Sequence, residues 1–162
     1  MANNSTEKQT LVKPDKFDQG ANFKAVHCGP FAQLSQYELD HPRFGVVKPG
    51  KVFLQELIGT TGMEVSINVF PPGKETTISH AHKVNEEMYI FVKGSGQMAI
   101  DGQIVSVAEG SCIRLAPKAA RYVRNSGSED LYFVVIQANE NSLGQHTFSD
   151  GYEVQQELNW KI

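Results

Sequence analysis

The chain has 162 residues, 40% of them hydrophobic and 20% charged, which is enough to bury the core of one domain and unlike a chain disordered throughout. A formal charge of −3, with Lys and Arg scattered and no basic run, excludes the electrostatic footprint of a nucleic-acid binder. Two cysteines, Cys28 and Cys112, make neither a disulfide framework nor a metal-binding Cys-x-x-Cys.

In chain order, residues 1–20 are polar and aperiodic, and read as a flexible N-terminal arm ahead of one domain spanning 21–162. The first ten residues lack the apolar centre of a secretory signal. The longest apolar stretches, 88–92 and 131–136, are strand-sized and cannot span a bilayer. The expectation is a soluble cytoplasmic protein with no membrane partner. Residues 22–53 are punctuated by Gly29-Pro30, His41-Pro42 and Pro49-Gly50, with a short helix expected within 31–39 and a strand within 52–57.

From residue 62 the pattern becomes that of strands. Residues 63–70 alternate apolar and polar until Pro71-Pro72-Gly73 stops them. A strand is expected over 76–82, a turn over 83–86, and an aromatic strand over 87–92 closed by Gly94-Ser95-Gly96. Asp101-Gly102 between 98–100 and 103–107 is a strong hairpin signal. Further strands fall at 112–115, 121–124 and 131–137. Short strands with turns every 8–12 residues predict an all-β sandwich or closed barrel. In the tail, Val154, Leu158 and Trp160 are placed to pack on that barrel or on a second subunit.

His80 and His82 stand two apart in a predicted strand, so both side chains leave the same face. Their Cα atoms lie roughly 6.6 Å apart at about 3.3 Å per residue. Two imidazoles so spaced can converge on one ion, with bonds of about 2.0–2.1 Å for zinc. Glu87 opens the next strand and can return an oxygen to the same interior. A His-x-His pair alone is a weak signal, because strand histidines often sit at the surface. The carboxylate at short spacing, the aromatic strand and the glycine turn favour metal ligation.

Gly73, His80-Ala81-His82, Glu87 and Gly94 resemble the first motif of the cupin superfamily, with one extra residue between the glycine and the first histidine. Gly110, Ala116-Pro117-Lys118, Arg121 and Asn125 resemble the second motif in spacing. The resemblance covers residues 62–137, roughly half the chain. It implies an all-β jelly-roll β-barrel with an irregular N-terminal arm, a homodimer, and a small-molecule ligand. It also implies a divalent metal ion (zinc, iron, nickel or manganese) held by His80, His82 and Glu87.

The second motif departs in content. The family has proline at Ala116, glycine at Lys118 and histidine at Arg121, and that histidine is normally the fourth protein ligand. A permanently charged guanidinium does not ligate a cation. Two outcomes follow: an open two-histidine, one-carboxylate set suited to Fe(II) or zinc, or a salt bridge from Arg121 to Glu87 that fills a metal-free pocket. Arg121 could equally clamp a ligand carboxylate or phosphate.

Tyr89 and Phe91 share the strand parity of Glu87 and are expected to line the cavity with Arg121 as ligand-binding residues. Phe91 also suits a plain core role, and Tyr89 is a candidate proton donor. Glu86 points to the opposite, solvent side. Cys112 reads as a small buried hydrophobe. Asn68 faces either cavity or solvent, and His27, His41 and His146 are expected at the surface.

No Ser/His/Asp set or phosphate-cradling glycine loop is present. Two functions fit: a metal-dependent enzyme, of the dioxygenase or isomerase/epimerase kind, acting on a small anionic carboxylate or sugar derivative, or a non-catalytic binder of a small metabolite or carbohydrate.

Overall fold

A computed structural model describes residues 10–145, 147–158 and 160. In the N-terminal third, β1 (Phe17–Gln19) and β2 (Lys24–Val26) form a hairpin, and a 3-10 helix covers Phe31–Gln36. A second hairpin joins β3 (Leu39–His41) to β4 (Gly45–Val47), followed by β5 (Lys51–Phe53) and the single turn α1 (Gln55–Ile58). The barrel strands are β6 (Glu64–Phe70), β7 (Asn85–Lys93), β8 (Ser95–Ile100), β9 (Gln103–Ala108), β10 (Cys112–Leu115), β11 (Arg121–Arg124) and β12 (Leu131–Asn139).

These strands make a five-stranded sheet, β10-β7-β12-β6-β5, facing a three-stranded one, β11-β8-β9, with all pairings antiparallel. This is the expected all-β jelly roll. Strand parity sorts the side chains of the larger sheet into two cores. Tyr89, Phe91, Phe133, Val135 and Phe70 point inward and meet Met98, Val107 and Val123 of the smaller sheet. Val52, Ile67 and Val69 point outward and are covered by Cys28 and Leu34 of the N-terminal third.

The segment before the barrel is therefore a lid over the sheet's outer face. Its beginning is tied down as well: Val12 N–H donates to the Glu38 carboxylate at 3.1 Å, and Lys13 Nζ lies 3.1 Å from Glu56. Among the described residues, no helix is long and apolar enough to cross a membrane.

Several boundaries differ from expectation for local reasons. The expected strand over 52–57 ends at Phe53, because the Glu64 carboxylate caps the Gln55 N–H at 3.0 Å and starts a helical turn. Residues 76–82 are not a regular strand. Bridges Glu75↔Arg124 and His80↔Arg121 set five steps of chain against three, so the excess bulges between them. The turn expected over 83–86 is shorter, since Asn139 and Ala138 extend β12 and pair with Asn85 and Glu86.

The Asp101-Gly102 hairpin forms as read, with φ of 47° and 83° at its two central residues. At Gly94 (φ 86°) an added Cβ would lie 2.4 Å from the Asp130 carbonyl oxygen, so the strand-to-strand turn there excludes any side chain.

Leu34 is fully buried against the outer sheet face. Leu34→Ala is expected to cost about 2–5 kcal/mol in urea denaturation. A loss below half a kcal/mol would mean that the N-terminal third does not share the barrel's cooperative unit.

Candidate metal centre

The bulged segment and β11 exchange two backbone hydrogen bonds, His80 N–H to the Arg121 carbonyl (3.2 Å) and Arg121 N–H to the His80 carbonyl (3.0 Å). Residues opposed in this way project to the same side, so His80 and Arg121 both enter the barrel. His82 follows two residues on, anchored by its N–H to the Pro117 carbonyl at 2.8 Å. Glu87 arrives from β7, between Leu115 of β10 and Gln137 of β12. One donor atom from each of His80, His82 and Glu87 lies within 4.8 Å of the others. The two imidazole planes stand at 89° with ring centroids 5.4 Å apart.

The electrostatics centre on Glu87, which is 2% exposed. Its Oε1 lies 3.0 Å from Nε2 of His82, and its Oε2 lies 2.9 Å from Nε of Arg121. Arg121 has no exposed surface, and its Nη1 donates to the His80 carbonyl at 3.2 Å. The Arg121 Nε approach to Oε2 is close but poorly directed, leaving both atoms and Nη2 without a hydrogen bond. The pair is thus held by charge more than by hydrogen-bond geometry.

Burial, then the positive charge of Arg121, pushes the His80 imidazole below its ordinary pKa and favours the neutral form that ligates metal. Burial and the Glu87 charge push the Tyr89 phenol well above its ordinary range. Two imidazole nitrogens and one carboxylate oxygen form a donor set that suits a divalent ion and leaves coordination positions open. The residues present fit such an ion.

Above this floor lies a cavity of about 510 Å³. Phe44, Phe53, Phe70, Tyr89 and Phe133 give it an aromatic wall, and His41, Arg43, Lys51, Lys74 and Glu75 bring polar groups to it. Of the residues expected to line it, Tyr89 does. Arg121 is not on the wall but behind Glu87, and Phe91 is 1% exposed and packed on Phe133 with centroids 5.6 Å apart.

Asn68 faces inward, its Nδ2 donating to the Ser66 and Phe133 carbonyls. His41, expected at the surface, is half-buried on the cavity wall because the β3–β4 hairpin folds its tip toward the opening. His27 is exposed and 2.7 Å from Asp18, as expected of a surface histidine, and His146 lies outside the described residues. Cys112 is exposed, not buried, since Ile113 and Leu115 take the inward positions of β10. Glu86 faces outward, within 2.7 Å of Arg114.

Sequence reasoning overlooked Lys51 and Arg43. The signal for Lys51 was its parity with Phe53 across Val52; Arg43 sits in an irregular hairpin tip and gave none.

The family model described as "Cupin domain" matches residues 66–137. A solved cupin protein from Bacteroides fragilis is 33% identical, the match covering 73% of this chain and 99% of that one, with a TM-score of 0.62. This chain is a cupin. The cupin is also similar to a solved putative sugar phosphate isomerase from Acidithiobacillus ferrooxidans, at 27% identity over 55% of this chain and 58% of that one, TM-score 0.51. An uncharacterized protein of Methanocaldococcus jannaschii is 32% identical over 63 residues, 39% of this chain. The match spans half the length of that curated relative.

Removing one partner of a buried ion pair strands the other charge. Arg121→Met is therefore expected to lose about 3–5 kcal/mol in urea denaturation, and Arg121→Met with Glu87→Gln to recover a large part of it. A double variant no better than the single one would show that Arg121 contributes through packing and not through Glu87.

Proposed function

We propose that this cupin is a metal-dependent enzyme acting on a small organic substrate, a carboxylate or a sugar derivative, with His80, His82 and Glu87 as the ligands of its metal. The observation that carries this reading is the approach of these three donors to within 4.8 Å at the floor of an aromatic-walled cavity. A divalent ion bound there (zinc, iron, nickel or manganese) would supply Lewis-acid polarisation of a substrate oxygen. Similarity to a protein described as a putative sugar phosphate isomerase supports the enzymatic side of the reading.

The chain's own residues have separable parts in it. Arg121 is a positioning residue: it fixes Oε2 of Glu87 and so turns Oε1 toward the histidines. Tyr89, with its phenol held protonated, is better suited to donating a hydrogen bond than to transferring a proton near neutral pH. Phe53, Phe70 and Phe133 exclude water from the space beside the histidines.

A second reading, a metal-free binder of a small metabolite, is favoured by one feature. The buried Arg121–Glu87 ion pair balances its own charge without a bound ion. Elemental analysis separates the two. Wild type, purified under metal-replete conditions, is expected to carry one divalent ion per chain, and His80→Ala or His82→Ala to carry none while keeping the far-UV circular dichroism of the fold. Saturating ion at about 100 times Kd would add about 2.7 kcal/mol to stability. A wild type without bound ion would leave the binder.

The same proposal includes a cytoplasmic homodimer. Phe148, Tyr152 and Trp160 of the tail are each more than four-fifths exposed, an apolar display that a second copy would cover. Light scattering is expected to give twice the chain mass; a monomer at micromolar concentration would remove this part.

A further inference from the structure

The inner face of the larger sheet carries one unexplained charge. Lys51 sits on the edge strand β5, opposite Asn68, which is itself opposite Phe133, so its side chain shares the inward row of neutral and aromatic groups. A lysine at such a position is costly unless something uses it, because partial burial removes water from the ammonium. Its Nζ stands 4.5 Å from the centroid of the Phe53 ring, and among the described residues it makes no ion pair with a carboxylate. Burial lowers its pKa, with the charges of Glu87 and Glu64 opposing that shift.

The surrounding charges show what it is placed to meet. The cavity wall carries three cations, Arg43, Lys51 and Lys74, against two carboxylates, Glu75 and Glu87. Each carboxylate has an arginine of its own off the wall, Arg124 for Glu75 at 3.9 Å and Arg121 for Glu87 at 2.9 Å. The three wall cations have no such partner among the described residues, so the potential inside the cavity is positive. The body of the space is aromatic.

We propose that Lys51 is the anion-recognition residue of this cavity, taking the carboxylate of a small organic acid whose apolar body lies against Phe53, Phe70 and Phe133. Arg43 and Lys74, both exposed, stand at the mouth and draw the anion in. Lys51 and the candidate metal ligands line the same cavity, so the acid would span from one to the other. In that respect the inference rests on the metal-centre reading. A free phosphate would satisfy the charge and make no use of the aromatic wall.

The test is titration calorimetry at fixed ionic strength with phenylacetate, its neutral isostere phenylacetamide, and inorganic phosphate. Each is run on zinc-loaded and on EDTA-treated protein. Phenylacetate is expected to bind more tightly than either comparison probe in both preparations. Lys51→Met should weaken phenylacetate by about tenfold or more, leave phenylacetamide within about twofold, and leave zinc content unchanged. Lys51→Arg should retain most of the affinity.

The urea midpoint of Lys51→Met should not fall, because the substitution removes a desolvated and unpaired charge of similar volume. A lower midpoint would show that Lys51 serves the fold. Equal loss of acid and amide, unchanged phenylacetate affinity in Lys51→Met, no phenylacetate binding, or tighter binding of phosphate would each overturn the proposal. Failure of zinc to bind would count against the metal centre alone, since the EDTA-treated arm reads Lys51 without it.

Discussion

The site depends on one buried carboxylate shared between two partners. Glu87 is almost completely out of water, and a lone ionised carboxylate in that position would be protonated or would unfold its surroundings. Arg121 stands 2.9 Å from its Oε2 on one side and His82 3.0 Å from its Oε1 on the other. Desolvating a guanidinium and a carboxylate together offsets much of their attraction, so the pair is a weak source of net stability. Its value is geometric. The same Arg121 that neutralises Glu87 also binds the His80 carbonyl, through its backbone and through Nη1. One residue therefore ties the bulged segment, β11 and β7 to a common point.

The larger sheet makes this arrangement possible by having two buried faces. An antiparallel sheet with one wet face shows clean alternation, and β7 roughly does, with Glu87, Tyr89 and Phe91 buried and Met88 and Val92 more exposed. β6 does not: its last five residues are all buried, because the 3-10 helix and Cys28 cover the outer side there. The N-terminal third thus stiffens the wall that presents Lys51 and Phe53 to the cavity. Asn125 closes the far end in a similar way, its Nδ2 donating to the Phe70 and Glu129 carbonyls and its Oδ1 accepting from Gly127.

What could be read in advance followed from how local each signal was. The strands from β6 to β12 were legible because period-two alternation and glycine turns are properties of neighbours in sequence. His80, His82 and Glu87 were legible from their short spacing in sequence, although the two histidines are held by backbone bonds to Arg121 and Pro117 and not by a regular strand. Arg121 stood out as the odd member of a motif, yet its depth was not legible. Its full burial and its contact with Oε2 of Glu87 show that it lies behind Glu87 and not beside the ligand space. The 75–80 bulge and the inward placement of Lys51 were hidden because each is set by pairing with another strand, Arg121 and Arg124 for the bulge and Asn68 for Lys51. The burial of His41 was hidden because it depends on how its hairpin folds toward the cavity. Cys112 was misplaced by composition, since small apolar residues are usually inside, although the parity of β10 puts it out.

The replacement of a ligand histidine by Arg121 has a consequence for charge as well as for coordination. A neutral imidazole at that position would contribute a lone pair and no charge. The guanidinium withdraws the lone pair and adds a positive charge that neutralises Glu87, the sole anionic member of the donor set. A divalent ion held by the remaining three residues would keep its charge nearly uncompensated in a low-dielectric space, with Lys51 adding to the excess. Such a site is most stable when its occupant brings negative charge of its own. On this argument the exchange of histidine for arginine and the unpaired lysine on the opposite wall are two parts of one preference. On the proposed reading both would select for an anion, one by leaving a bound ion short of negative ligands and the other by offering that anion a second cation.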